Sequence, residues 1–320
     1  TTVATEGDGK TRTQALWLQD AWRLNDFVKL TVGGRYEHWR AYDGFNANGS
    51  TQVTQPEINA TKFSPKAVVA WTPTLDWTVT ASVGKAYRFA TASELYQLVS
   101  TGATFTSPDP NLKPDNVLAT ELRVGRTFTR GMAQVALFQD DVHDAIIAQF
   151  LPLVPSSTTL YSYVSNVDHV RARGAEVVLG GNIGGLELSA SGTYLDARTL
   201  ALSGRASATA PAGSAIGALL PNIPKWRANF LSTYRPDDRL ALTFAGRYSG
   251  KIYTTLDNSD VRFNTYQGFS EWFVADAHVN YRLDRHWSGS IGADNVFDRK
   301  YFLFHPFPQR TYVANAKFAF

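Results

Sequence analysis

An alternation of period two recurs along almost the whole chain, and it limits the folds available more than any other feature of the sequence. Successive side chains on a strand point to opposite faces, so each such run carries one apolar and one polar face. Leu240, Leu242, Phe244 and Tyr248 stand against Ala241, Thr243 and Arg247. Phe273, Ala275, Ala277, Val279 and Tyr281 stand against Asp276, His278, Asn280 and Arg282. The same pattern appears over 27–39, 63–71, 77–87, 118–128, 133–140, 175–179, 186–194, 226–234 and 287–294, and less clearly over 12–24. The apolar faces are rich in Ala and Gly and often end in Trp, Tyr or Phe, whereas the core of a sandwich favours bulky residues that fill space. The final stretch, Gln309 to Phe320, puts Tyr312, Ala314, Ala316, Phe318 and Phe320 on one side and Thr311, Val313, Asn315, Lys317 and Ala319 on the other. A terminal aromatic suits the edge strand of a sandwich poorly, because soluble termini fray into water. It suits a strand whose outer face meets lipid.

Composition narrows the choice. The 320 residues are 44% apolar and 18% charged, with a mean hydropathy of -0.21. A soluble domain fits those values, and so does a membrane barrel, whose two faces average out. A helical membrane protein does not fit, since the longest apolar run, Ala67 to Trp71, is about five residues where a spanning helix needs about 20. Aromatics reach 13%, as two interfacial girdles require. The absence of cysteine closes disulfide and thiolate-metal readings. A net charge of +3, spread evenly, gives no case for nucleic acid. Thr1-Thr2-Val3 has neither the basic nor the apolar segment of a signal peptide.

The connections alternate in length. Short turns are expected at 25–26, 74–75, 129–131, 182–184, 236–237 and 284–285. Long loops are expected at about 41–61, 89–116, 150–160, 197–224, 250–271 and 298–308, the Gly/Ala/Ser-rich 203–218 reading as a mobile loop. Long structureless loops are uncommon in compact soluble domains, and here one arrives at every second connection. That is the pattern of an antiparallel transmembrane β-barrel. About thirteen strands of roughly ten residues match the length needed to span a bilayer at a tilt. With that odd count the first and last strands run the same way and cannot pair antiparallel, so further strands are expected on the N-terminal side. A hydrogen-bonded pair between the first and last strands would overturn that expectation.

Five short stretches then fall in order. They are Ala81-Ser82-Val83-Gly84-Lys85-Ala86-Tyr87-Arg88-Phe89-Ala90 with Glu94-Leu95-Tyr96; Asn111-Leu112-Lys113-Pro114-Asp115 with Glu121 to Gly125; Arg173-Gly174-Ala175-Glu176; Asp294-Asn295-Val296-Phe297-Asp298-Arg299-Lys300-Tyr301; and Pro308-Gln309-Arg310 leading to Phe320. Together they resemble the barrel signatures of TonB-dependent outer-membrane receptors. A proline is usual where Ala90 or Thr91 stands, and a glycine where Gln309 stands. The resemblance implies the C-terminal part, about thirteen strands, of a barrel of about 22 strands, with the N-terminal plug and the TonB-engaging segment not represented. It implies active uptake of a scarce ligand across the bacterial outer membrane, most often a ferric siderophore. Cobalamin, haem or an oligosaccharide are alternatives by the same mechanism. The implied partners are TonB, outer-membrane lipid and the assembly machinery that reads the strand ending in Phe320. No cofactor and no enzymatic activity are implied. A passive porin remains a second reading, and a barrel enzyme a third, which a Ser or Asp beside His38, His143 or His305 would favour.

The long loops carry aromatics and cations: Tyr42, Arg88, Tyr96, Phe105, Tyr253, Arg262, Tyr266, Trp272, Phe304 and His305. Such a set suits an anionic, partly aromatic ligand through cation–π contacts and charge-assisted hydrogen bonds. Arg88, Tyr96, Tyr253, Trp272 and His305 are the ligand-binding candidates, each weighed against a plain role in the girdle or in loop packing. No catalytic residue is expected and no metal site: the cluster Asp140-Asp141-Val142-His143-Asp144 reads as a polar strand rising above the membrane, its alternation splitting Asp140 and Asp144 from Asp141 and His143. The histidines lack HExxH or similar spacing, no GxSxG elbow is present, and Gly180 to Gly185 reads as a turn.

Overall fold

The structure is a computed structural model that describes residues 5–101, 104–107, 109–151, 160–203 and 215–320. Its wall begins with β1 (Thr5–Arg23), β2 (Val28–Asn48), β4 (Ile58–Thr74) and β5 (Trp77–Arg88), with a short β3 (Thr51–Thr54) added to β2. After helix α1 (Ala92–Tyr96) and two short strands, β6 (Val99–Thr101) and β7 (Thr104–Ser107), come β8 (Asp115–Phe128), β9 (Gly131–Leu151), β10 (Leu160–Ile183) and β11 (Leu186–Ala201). The wall then continues through β12 (Trp226–Tyr234), β13 (Leu240–Ser249), β14 (Trp272–Arg282) and β15 (Trp287–Asp294). After the small hairpin β16 (Phe302–Leu303) and β17 (His305–Pro306) it ends with β18 (Thr311–Phe318). Thirteen of these strands form one antiparallel path in sequence order, from β1 to β18. Among the described residues, β1 and β18 are each bonded on one side of that path and not to each other.

Register fixes the faces. Leu122 lies opposite Leu137, Leu137 opposite Ala175, and Val135 opposite Val177, so these residues share one side of the sheet. That side is exposed: Leu137 shows 53% of its surface and Ile291 64%. A soluble protein rarely exposes a contiguous apolar area beyond a few hundred Å², and here the apolar side continues across every wall strand. The physical solvent that matches it is acyl chain. At its margins sit aromatic pairs, Tyr194 on Trp226 and Trp287 on Phe318, with ring centroids 4.6 and 4.9 Å apart, where amphipathic rings favour an interface.

The other side is polar and ion-paired, with Arg123–Glu121 at 2.7 Å, Arg247–Asp276 at 2.8 Å and His278–Asp294 at 3.0 Å. Alternation puts Gly174 on this side, and a glycine is required there because a Cβ would come 2.2 Å from the Tyr194 carbonyl oxygen and 2.7 Å from the Phe138 ring, the close approach its place in a strand suggested. The short turns fall where expected. The first long loop does not: β2 runs on to Asn48, turns at Gly49 with φ +58°, and returns through β3. Of the expected loops 150–160 and 197–224, residues 152–159 and 204–214 lie outside the described residues, as does most of 203–218.

Buried residues are concentrated at the long-loop end. One cluster joins Trp39, Ala41, Ala90, Leu95, Tyr96 and Leu112. A second joins Ala145, Val167, Val170, Ala215 and Leu256. By alternation, Trp39 and Val170 point to the polar side of the sheet, so both clusters pack loop segments against the inside of the wall.

Candidate functional site

The five candidate residues separate into two groups at the long-loop rim. The first is built by α1. Thr91 caps the helix: its hydroxyl accepts from the Glu94 amide at 3.2 Å, while its own amide donates to the Glu94 carboxylate at 2.8 Å, which satisfies two helix-end donors reciprocally. Arg88, at the end of β5, fans its guanidinium over three partners: Asp115 at 2.9 Å, Glu94 at 2.9 Å and the Ile146 carbonyl at 3.0 Å. It thereby ties β5, α1, β8 and β9 together. Burial works against the ionised form of Glu94, but the Thr91 amide and the Arg88 guanidinium outweigh it and hold the carboxyl below its usual range.

Tyr96 differs from the expectation of a ring facing ligand. It is 1% exposed. Its ring fills a socket where β1 and β2 slip register between Asp8 and Lys10, opposite Asp43 at φ 54°. The floor is Gly9 and Gly44: a Cβ on either would lie 2.3–2.4 Å from the Tyr96 ring. The Tyr96 carbonyl accepts from the Asn46 side chain, and the Tyr96 hydroxyl is buried with no hydrogen-bond partner. Arg88 and Tyr96 therefore position the α1 segment, and in this conformation Tyr96 offers a ligand no surface. The socket glycines were missed in the sequence. The available signal was Gly9 and Gly44 within strands, where a glycine marks a bulge or a close approach.

The second group brings Tyr253, Trp272 and His305 into one pair of interlocked loops. Ser270 N–H donates to the Phe302 carbonyl at 2.8 Å, and Phe304 N–H to the Gly268 carbonyl at 2.9 Å. The Ser270 hydroxyl accepts from the Phe302 amide at 2.9 Å. Trp272 stacks on Tyr301 at 5.0 Å, and Tyr301 on Phe307 at 5.0 Å; the Trp272 indole N–H is buried without a partner. Tyr253 meets Phe263 edge-on at 5.6 Å. His305 lies 5.5 Å from Tyr266 and 5.0 Å from Phe304. His305, Tyr266, Phe304 and Arg262 are exposed, whereas Tyr253 and Trp272 are half-buried. Tyr42 is engaged by Lys10 and Arg40 from β1 and β2, and the side chain of Phe105 falls outside the described residues.

The box at 294–301 is a loop clamp. Asn295, 3% exposed and at φ 52°, accepts from the Arg299 amide at 2.8 Å and donates to the Arg299 carbonyl at 2.9 Å. Its own amide reaches Asp276 at 2.9 Å, and Asp298 accepts from the Arg310 amide at 3.0 Å. These are the side-chain-to-backbone bonds that Asn and Asp make at loop starts. In the acidic run on β9, Asp141 accepts from Arg171 at 2.7 Å and meets His169 at 3.0 Å, and His143 stacks on His169 at 4.3 Å. Among the described residues no group of three or more His, Cys, Asp or Glu is placed to hold a metal ion. His38 bonds Thr61 at 3.0 Å, and the aspartates that do meet imidazoles belong to His169 and His278.

Comparison with known proteins agrees with this architecture. The chain is 25% identical over 246 residues to the iron-regulated outer membrane virulence protein of Vibrio cholerae, a match covering 73% of this chain and 33% of that protein. It is 30% identical over 133 residues to a hemin receptor of Yersinia pestis, covering 38% of this chain and 18% of the relative. The ferric-catecholate import receptor Fiu of E. coli K12 superposes with a TM-score of 0.73 at 20% identity, over 98% of this chain and 45% of Fiu. The chain thus spans about a third of the Vibrio relative and under half of Fiu. The family model described as TonB dependent receptor-like, beta-barrel, matches residues 2–296, and this chain belongs to that family.

Proposed function

We propose that the chain forms wall and mouth of a receptor that carries a scarce ligand, a ferric siderophore, across the bacterial outer membrane at the expense of energy delivered through TonB. The observation that carries the reading is the combination on one sheet: an apolar outer side fit for lipid, a charged inner side, and an exposed aromatic and cationic group at the long-loop rim. In this reading further wall strands pair with the open edges at β1 and β18. A plug and a TonB-contacting segment lie in parts of the protein beyond this stretch. Ligand contact is assigned to His305, Tyr253 and Trp272 with Arg262 and Tyr266, and a supporting role to Arg88 and Tyr96. Aromatic faces and a guanidinium recognise the charge and the rings of an iron chelate.

A haem ligand is the second reading. Two relatives are named hemin receptors, and the exposed His305–Tyr266 pair presents the two side-chain types that ligate haem iron.

Uptake of labelled ferric chelates and of haem by cells producing the whole receptor distinguishes these. Energy-dependent uptake that fails without TonB, and that loses about tenfold in affinity in the His305→Ala, Arg262→Gln variant, supports the proposal. Ion conductance that needs neither TonB nor a proton gradient favours the passive porin instead.

A further inference from the structure

A hollow of about 760 Å³ opens at the long-loop rim, between the ends of β13 and β14, the loop that joins them and the loop after β15. Register puts part of its lining on the outer side. Tyr248 lies opposite Phe273, and by alternation Phe273 shares its side with Ala277, Val279 and Tyr281. Phe297, 64% exposed, stacks on Phe273 at 6.3 Å. The Tyr248 hydroxyl donates to Glu271 at 2.8 Å on that same side. The hollow thus has aromatic walls continuous with the lipid-facing side, at the long-loop end, where the apolar belt gives way to polar loops.

Three cations line it: Lys251, Arg299 and Lys300. Most cations elsewhere on the wall's outer side are ion-paired, as Arg171 is with Asp141 and Arg198 with Asp196. These three make no ion pair among the described residues. Lys251 lies over the Phe263 ring at 5.0 Å, and Arg299 donates to the Glu271 carbonyl at 3.1 Å. The two carboxylates in the hollow are already engaged, Glu271 by Tyr248 and Asp298 by the Arg310 amide. Three cations against the two carboxylates leave the hollow net positive, beside exposed rings at the end of the apolar belt.

We propose that this hollow binds the phosphate-bearing headgroup of an anionic lipid in the leaflet on the long-loop side, with Lys251, Lys300 and Arg299 on the phosphate and Phe273 and Phe297 against the first acyl carbons. Cations near a membrane surface gain substantially from anionic headgroups, and planar guanidinium suits phosphate. The outward aromatics assign the source to lipid, since a free anion would leave them unused. Phe263 and Trp272 of the candidate ligand group also line the hollow, so it sits at the rim beside that group, with Tyr248, Phe273 and Phe297 on its outer side; lipid binding is read directly and does not depend on the transport reading.

Native mass spectrometry on the delipidated receptor from outer membranes tests it, with bis-phosphorylated lipid A, phosphatidylcholine and inorganic phosphate as probes. The receptor is expected to retain lipid A over phosphatidylcholine. The K251Q, K300Q variant should bind lipid A roughly 10- to 30-fold more weakly, and K300Q alone, which removes only an exposed side chain, should show a smaller loss in the same direction. The K29Q, K317Q variant, changed at the short-turn rim, should bind as the parent does. Equal lipid A binding by K251Q, K300Q and the parent overturns the proposal, as does equal retention of phosphatidylcholine. Complete displacement of lipid A by an equal concentration of inorganic phosphate overturns the assignment to lipid.

Discussion

Replacing Gly44 by alanine should release the α1 segment from the wall, and removing the Tyr96 ring should cancel that effect. A Cβ at Gly44 would lie 2.4 Å from Tyr96 Cε1 and 2.6 Å from Cζ, well inside contact distance. The ring cannot retreat, because Gly9 closes the other side at 2.3 Å by the same measure. Overpacking of this kind costs about 1–3 kcal/mol. The loss should be local, because the wall ladders on either side are independent of the socket. It should appear in the docking equilibrium of α1, read by hydrogen exchange at the Leu95 and Gln97 amides, which donate within the helix to Thr91 and Ser93. A loss of that size accelerates exchange by about 5- to 150-fold. Tyr96→Ala should also accelerate it, through a lost buried ring and the cavity left behind. The double variant Gly44→Ala, Tyr96→Ala should exchange no faster than Tyr96→Ala alone, since the clash has gone. Additive effects in the double variant would refute the socket. Tyr96→Phe supplies a further check: the hydroxyl is buried without a partner, so its removal should leave exchange unchanged or slow it.

Three further outcomes are expected. Glu94 has its folded-state pKa below the unfolded value, so its contribution to α1 docking is complete above the ordinary carboxylate range and is lost as pH falls through the depressed value; the acid-induced rise in exchange at Leu95 should disappear in Glu94→Gln. Asn295→Ala should cost about 2–4 kcal/mol in urea titrations followed by heat-modifiable gel mobility, because it strips a buried clamp of its bonds to Arg299. Ala277→Arg, on the apolar side of β14, should cost about 2–4 kcal/mol if that residue lies near the bilayer midplane, whereas Asn280→Arg on the polar side should be nearly neutral.

The wall was legible in the sequence because period two is a direct imprint of a sheet with unlike sides. Leu242 against Thr243, or Val279 against Asn280, needs no tertiary information. The short turns were legible for the same reason, as breaks in the pattern at residues such as Asp237 and Asp284, whose carboxylates accept backbone amides two and three residues on. The hairpin through Asn48 and Thr51 was not, because its strands carry polar residues on both sides and show no period of two. The candidate residues were less legible still. Tyr96 and Trp272 are both aromatics in long loops, and sequence gives no measure of burial. The difference between them is set by Gly9 and Gly44, about fifty or more residues away from the ring along the chain. Arg88 looked available for an anionic ligand, but Asp115 and Glu94 reach it only after β8 and α1 are placed.

The central claim is that the apolar side of the sheet contacts lipid chains and the polar side does not. The chain has no cysteine, so single cysteines carrying a nitroxide can be placed along β14 without background. Their power-saturation accessibility to oxygen, which concentrates in acyl chains, and to a water-soluble nickel chelate reports the surroundings at each position. High oxygen accessibility is expected at 277, 279 and 281 and low at 276, 278 and 280, with a period of two. Low oxygen accessibility at 277, 279 and 281, as in a core sealed by another layer of protein, would contradict the claim.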